Sequence, residues 1–124
     1  MSASVVLPAR SDRGMATAEL AVGLPLLALL VVFGAGVIGA VRTDVECQNA
    51  ARIAARLAAR GESLDTVRRA AAQAAPPGAE VSVSGGQTVV VVVSRDVGIP
   101  GPWSGRGPHV RVEGKAVADV EPGA

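Results

Sequence analysis

The chain has 124 residues, of which 49% are hydrophobic but only 2% aromatic, so Ala, Val and Gly supply most of its apolar content. Protein cores are packed to crystal-like density, in most domains with large side chains, and this chain has few of those, which argues against a conventional compact enzyme. The net charge of +1 argues against a nucleic-acid binder, whose footprint is a marked basic excess, and the single cysteine excludes an internal disulfide and a cysteine-rich metal site.

The first segment, Met1–Gly14, reads as a short polar leader carrying Arg10, Asp12 and Arg13. From Leu20 to Val41 there are 22 positions without a charge, LAVGLPLLALLVVFGAGVIGAV. A bilayer core asks for about 20 apolar residues in a helix. The glycines and Pro25 would weaken a soluble helix, yet both types are commoner in membrane helices. The reading is one membrane helix over 20–41. A buried core helix of that length would need a far larger protein around it. A secretory signal has a shorter apolar region, about 7–15 residues, followed by a small-residue cleavage site. Gly34, Gly36 and Ala40 would suit such a peptidase, releasing a soluble domain from near Val41.

Glu19 stands at the upstream edge of this run. A carboxylate near hydrocarbon is costly and marks a functional position by default, although an acid at a helix N-terminus is also ordinary. The run Arg13-Gly14-Met15-Ala16-Thr17-Ala18-Glu19-Leu20 joins a basic leader, a glycine, four residues, a glutamate and an apolar helix with an early proline. That order resembles the processing site of type IV prepilins. More closely, DRGMATAELAVGLPLLALL followed by NAARIAARLAARG resembles the TadE-like family of minor pilins, from the tight-adherence class of pilus systems. The resemblance covers Arg13 to about Gly61, and the rest only in layout.

It implies cleavage after Gly14 by a prepilin peptidase on the cytoplasmic side, with Met15 the new N-terminus and Glu19 the fifth residue. It further implies that Glu19 of one subunit pairs with the Met15 amine of a neighbour, which sets register during assembly. The implied partners are that peptidase, a polytopic platform protein, a secretion ATPase and a major pilin. Many relatives carry an aromatic after the glutamate, where this chain has Leu20. Positive-inside counting opposes the implied orientation, since Arg42, Arg52, Arg56 and Arg60 downstream outnumber Arg10 and Arg13. The rule loses force before a long translocated segment. The expected orientation is therefore N-terminus cytoplasmic and C-terminal domain outside, in the cell membrane or a pilus.

Beyond the span, Ala50–Arg60 is built from strong helix formers, and an unbroken stem helix is expected from Leu20 to Arg60. Arg52, Arg56 and Arg60 form one stripe at i, i+4, i+8, read as a solvated face or as a contact for anionic headgroups. Ala35/Gly39 and Gly36/Ala40 are small-xxx-small pairs that permit close helix packing. Gly61 ends the stem. Ser63 is an N-cap candidate for a second helix to about Ala75, closed by Pro76-Pro77-Gly78. Glu80–Ser84 alternates as a strand does, Gly85-Gly86 is a two-residue hairpin signal, and Gln87–Arg95 holds a β-branched run suited to a strand covered on both faces. Ile99–Pro108 reads as loop, and His109 to about Val120 as a third strand. Val89–Val93 is aggregation-prone: on an edge it would recruit another strand, which a filament subunit could use for packing, and in a monomer it belongs in the centre of the sheet, the placement favoured.

The expected fold is α+β and pilin-like, with a long N-terminal transmembrane stem helix, a short helix and a small three-stranded antiparallel sheet. Its parts are a leader (1–14), a transmembrane and stem helix (15–60) and a small extracytoplasmic α/β domain (61–124). No catalytic constellation assembles. His109, the lone histidine, reads as a surface or strand-edge residue. Cys47 is either a small buried stem residue or an intermolecular disulfide former, and the former is favoured. Ser63 and Ser104 have no His–acid partners in view. Trp103 anchors its Gly/Pro loop or lies near the membrane interface. The expected role is thus a structural or assembly subunit, not an enzyme, without metal, cofactor, nucleic acid or small-molecule substrate. Gly14, Met15 and Glu19 are the residues of interest and lipid a partner of the span. The alternative is an uncleaved, single-pass, signal-anchored accessory protein that binds another envelope protein.

Overall fold

The computed structural model describes residues 2–4, 11–103 and 105–120, and of Ser11 and Asp12 the backbone only. Half of the expected leader, Arg10 included, lies outside the described residues, as do Ser104 and the last four positions. The order of elements is α1 (Ser11–Ala59), α2 (Leu64–Ala74), β1 (Glu80–Ser84), β2 (Thr88–Gly98) and β3 (His109–Asp119). This is an α+β layout: a long N-terminal apolar helix, a short helix and an antiparallel sheet in the order β1-β2-β3.

Helix α1 has 49 residues, about 73 Å at 1.5 Å per residue. It begins nine residues before Leu20, the first residue of the expected stem, and takes in Ser11–Gly14 from the segment read as leader. Pro25 lies inside it without ending it. The helix closes at Ala59, not Arg60, for a backbone reason. Gly61 takes φ +80°, and its N–H donates to the Ala58 carbonyl at 3.0 Å while that of Glu62 reaches the Leu57 carbonyl at 3.2 Å. This pair of bonds is the Schellman closure, which needs a left-handed residue at the position Gly61 holds. Two residues on, Ser63 caps α2 as expected, its hydroxyl accepting from the Thr66 N–H at 3.3 Å.

The sheet departs from expectation at its first turn. Ser84 pairs with Val90, so Gly85–Val89 spans the connection and the two-residue turn is not formed. Thr88 and Val89 are engaged by β3 instead, opposite Asp119 and Ala118. Gly85 lies where a Cβ would meet a methyl of Leu64 at 2.7 Å, so the glycine there serves packing against α2. β2 is the central strand, the favoured of the two placements. Its inward residues Val89, Val91 and Val93 are buried, whereas Val90 and Val92 on the other face are only half-buried. One face is therefore covered, not two.

The core lies between α1, α2 and the sheet. It consists of Cys47, Ala50, Ala51, Ala54, Ala55 and Ala58 from α1, Val67 and Ala71 from α2, and Val89, Val91, Val93 and Ala118 from the sheet. Its largest fully buried side chains are valines and Cys47. Small residues can fill this space because the backbones approach closely. At Gly114 of β3 an added Cβ would run into the Cys47–Gln48 peptide of α1. The composition that looked too light for a core is what this spacing demands.

On the open face of the sheet Arg111 ties the strands together. Its guanidinium donates to Glu80 Oε2 of β1 at 3.0 Å and to Ser94 Oγ of β2 at 2.9 Å, with Asp96 at 4.0 Å. The partly exposed ion pair contributes little stability, about 0–1 kcal/mol, but it gives the buried Ser94 hydroxyl a partner.

Candidate functional site

Gly14, Met15 and Glu19 all lie in the first turns of α1 and are exposed. The local helix is reinforced by the Thr17 hydroxyl, which donates to the Arg13 carbonyl at 3.0 Å. A Cβ at Gly14 would meet nothing within 4 Å, so nothing described in this chain requires glycine there. Met15 and Glu19 are one turn apart on one face. Helical side chains lean toward the N-terminus, so the Glu19 carboxylate inclines over the turn that holds Met15, one turn inside the helix start at Ser11.

The segment that follows is apolar and bare. Leu20, Val22, Leu24, Leu27, Leu30 and Ile38 are each more than half exposed, and they point in every direction around the helix. A helix that is apolar all round needs an apolar surrounding. α1 is long and apolar enough to cross a membrane, and none of its most apolar stretch is buried within the chain. This is compatible with a single-pass membrane anchor.

The C-terminal half of α1 presents two faces. Cys47, Ala50, Ala51, Ala54, Ala55 and Ala58 face the sheet and α2, whereas Arg52 and Arg56, with Arg60 just past the helix end, are exposed. Cys47 is fully buried. Burial pushes its thiol above the ordinary value of 9.0, Asp44 adds to the rise, and Arg95 opposes it. His109 is exposed and pairs with Gly98 at the start of β3. Among the described residues no three His, Cys, Asp or Glu side chains come together as a metal site needs.

The unanticipated feature is the far end of the β2–β3 hairpin. The strands continue past the core to the pairs Val97↔Val110 and Gly98↔His109, and the loop beyond leans on the apolar part of α1. Pro100 seats against Gly36, where any Cβ would collide with its ring. Ala40 and Val37 join Val97 and Val110 in the same apolar contact. The Gly36/Ala40 pair thus receives the hairpin, not a second helix, whereas Gly39 has open space beside it. Trp103 closes the loop. Its indole N–H donates to the Ile99 carbonyl at 3.0 Å, and its ring lies so near Gly101 and Gly107 that a Cβ on either would displace it. The sequence signals were present in the glycines that alternate through this loop and in Gly114 within a strand, since such a glycine often marks close backbone approach.

Comparison with protein-family models, with curated proteins and with solved structures finds no match to this chain.

Proposed function

We propose that the chain is a membrane-anchored, minor pilin-like structural or assembly subunit of a tight-adherence type IV pilus system, processed by a prepilin peptidase. The observation that carries this reading is one unbroken helix with two environments. Its first half is bare and apolar over a membrane's thickness, and its second half is an alanine-faced stem that packs an α/β unit. Such a subunit is held in lipid until its stem exchanges lipid for neighbouring stems.

Gly14, Met15 and Glu19 supply the switch in this scheme. Cleavage after Gly14 on the cytoplasmic side creates an ammonium at Met15. Glu19 of an adjacent subunit pairs with it, and in a low-dielectric setting an unpaired charge of either sign is costly. The pair therefore selects one stagger between stems. The peptidase, a platform protein and a major pilin are the partners this role requires, with the α/β unit outside the cytoplasm. A second reading, an uncleaved signal anchor serving another envelope protein, draws on the helical state of Ser11–Gly14. A bond within regular helix must be unwound before a peptidase can use it.

The test is the N-terminal residue and mass of the membrane-extracted protein, expressed with a prepilin peptidase, for wild type and Gly14→Ala. The expected result is a start at Met15 that is lost in Gly14→Ala. An intact leader in both sinks the pilin reading and leaves the signal anchor. A start near Val41 marks a secreted domain.

A further inference from the structure

The β2–β3 loop touches α1 at Gly36 and borders a groove that extends along the stretch of α1 that would lie in lipid. The apolar groove between them is lined by Ala28, Leu29, Val32 and Phe33 of the helix and by Pro100, Pro102 and Trp103 of the loop. A hydrocarbon core takes about 20 helical residues. Placed as far toward the N-terminus as Met15, that core ends near Gly34. Placed over Leu20–Val41, it ends further along. In both placements Ala28 lies inside the outer boundary, by about 9 Å in the first and about 20 Å in the second at 1.5 Å per residue. A loop whose Pro102 and Trp103 border this part of the helix faces the outer leaflet.

We infer that the tip of the β2–β3 hairpin is a second membrane contact, inserted into the outer leaflet with Trp103 facing a lipid acyl chain in the groove beside Val32 and Phe33. This rests on the membrane-anchored reading above. The chemistry of the tip suits lipid. Irregular backbone in hydrocarbon must leave few polar groups unsatisfied; Pro100, Pro102 and Pro108 carry no N–H, whereas Gly101, Trp103 and Arg106 keep theirs and take headgroup or interfacial water as partners, which holds the backbone of the tip near the headgroups while the Trp103 ring reaches inward. The Ile99 N–H donates to the Pro108 carbonyl at 2.9 Å. The only polar atom of the Trp103 side chain is already bonded to Ile99, so its ring enters an apolar phase without losing a partner. Tryptophan is enriched where membrane meets water. Arg106, exposed on the same loop, has the length to lift its guanidinium to headgroup phosphates while its stem stays apolar. The hairpin thereby fixes how deep the span sits and holds the α/β unit against the membrane surface.

Trp103 is the sole tryptophan and there is no tyrosine, so intrinsic fluorescence reads this loop alone. The full chain is reconstituted into phosphatidylcholine vesicles, plain or brominated on the acyl chains near the headgroup, and isolated by flotation. The expected result is a blue-shifted emission, most of it lost in brominated vesicles and little affected by aqueous iodide. Phe33→Trp in a Trp103→Phe background places the probe on the helix itself. Strong bromine quenching of that control, with Trp103 unquenched and open to iodide, overturns the hairpin contact while the anchor stands. Failure to float, or a control insensitive to bromine, overturns both.

Discussion

Gly114→Ala tests the close approach on which the whole core depends. The added Cβ would be driven into the main chain of α1 at Cys47 and Gln48. Neither side has a rotamer to change, so helix and strand must part by about 1 Å to restore van der Waals distance, and a gap of that size forfeits about a quarter to a half of each contact's attraction. Overpacking costs about 1–3 kcal/mol, and a clash between two backbones belongs at the upper end. Cys47 is the sole cysteine and is fully buried, so its labelling by a thiol reagent in detergent reports opening of this layer. About 3 kcal/mol corresponds to labelling about 100-fold faster. Gly86→Ala, in an exposed turn where a Cβ meets its nearest atom, the Thr88 carbonyl oxygen, at 3.9 Å, serves as control and should match wild type. A Gly114→Ala rate equal to that of the control would refute the argument that backbone proximity sets the core.

Two further outcomes follow from the same geometry. Ser63→Ala removes the hydroxyl that accepts from the Thr66 N–H and should cost about 1 kcal/mol, read as Cys47 labelling about five-fold faster. Ser63→Asp should keep the wild-type rate, and equal rates for all three would remove the cap from the account. The raised thiol pKa of Cys47 has a definite sign. The folded state holds the proton more tightly than the unfolded chain, so this contribution is complete below 9.0 and is lost as pH climbs from there toward the higher folded value. Denaturant unfolding followed by circular dichroism should show stability falling across that alkaline window in wild type and less steeply in Cys47→Ala. Identical slopes would contradict it.

Much of the architecture is legible in short stretches of chain. The uncharged run from Leu20 to Val41, the Ala-rich stem, the Ser63 cap and the alternation in Glu80–Ser84 are local patterns, and each fixes an element through backbone propensity or solvent preference. The limits of α1 and the first hairpin turn were less legible. Helix continues upstream of Gly14 because nothing in Ser11–Arg13 stops it, and the register of β1 on β2 is decided by β3, which engages Thr88 and Val89 from the other side. Of the residues of interest, Gly14, Met15 and Glu19 are singled out by the resemblance their segment carries, and the structure adds only that they share an exposed helical start.

The elements, their order and the apolar length of α1 are written in local stretches of chain, because these depend on neighbours within a few residues. Long-range packing settles that β2 has one covered face, that Gly114 admits the α1 backbone, and that Gly36 receives Pro100. These depend on residues far apart in the chain meeting at distances no periodicity encodes. Trp103 shows the difference most clearly. Its Gly/Pro setting is visible in the sequence, but its place beside Val32 and Phe33 follows from the length of the β2–β3 hairpin and the angle at which it lies along α1.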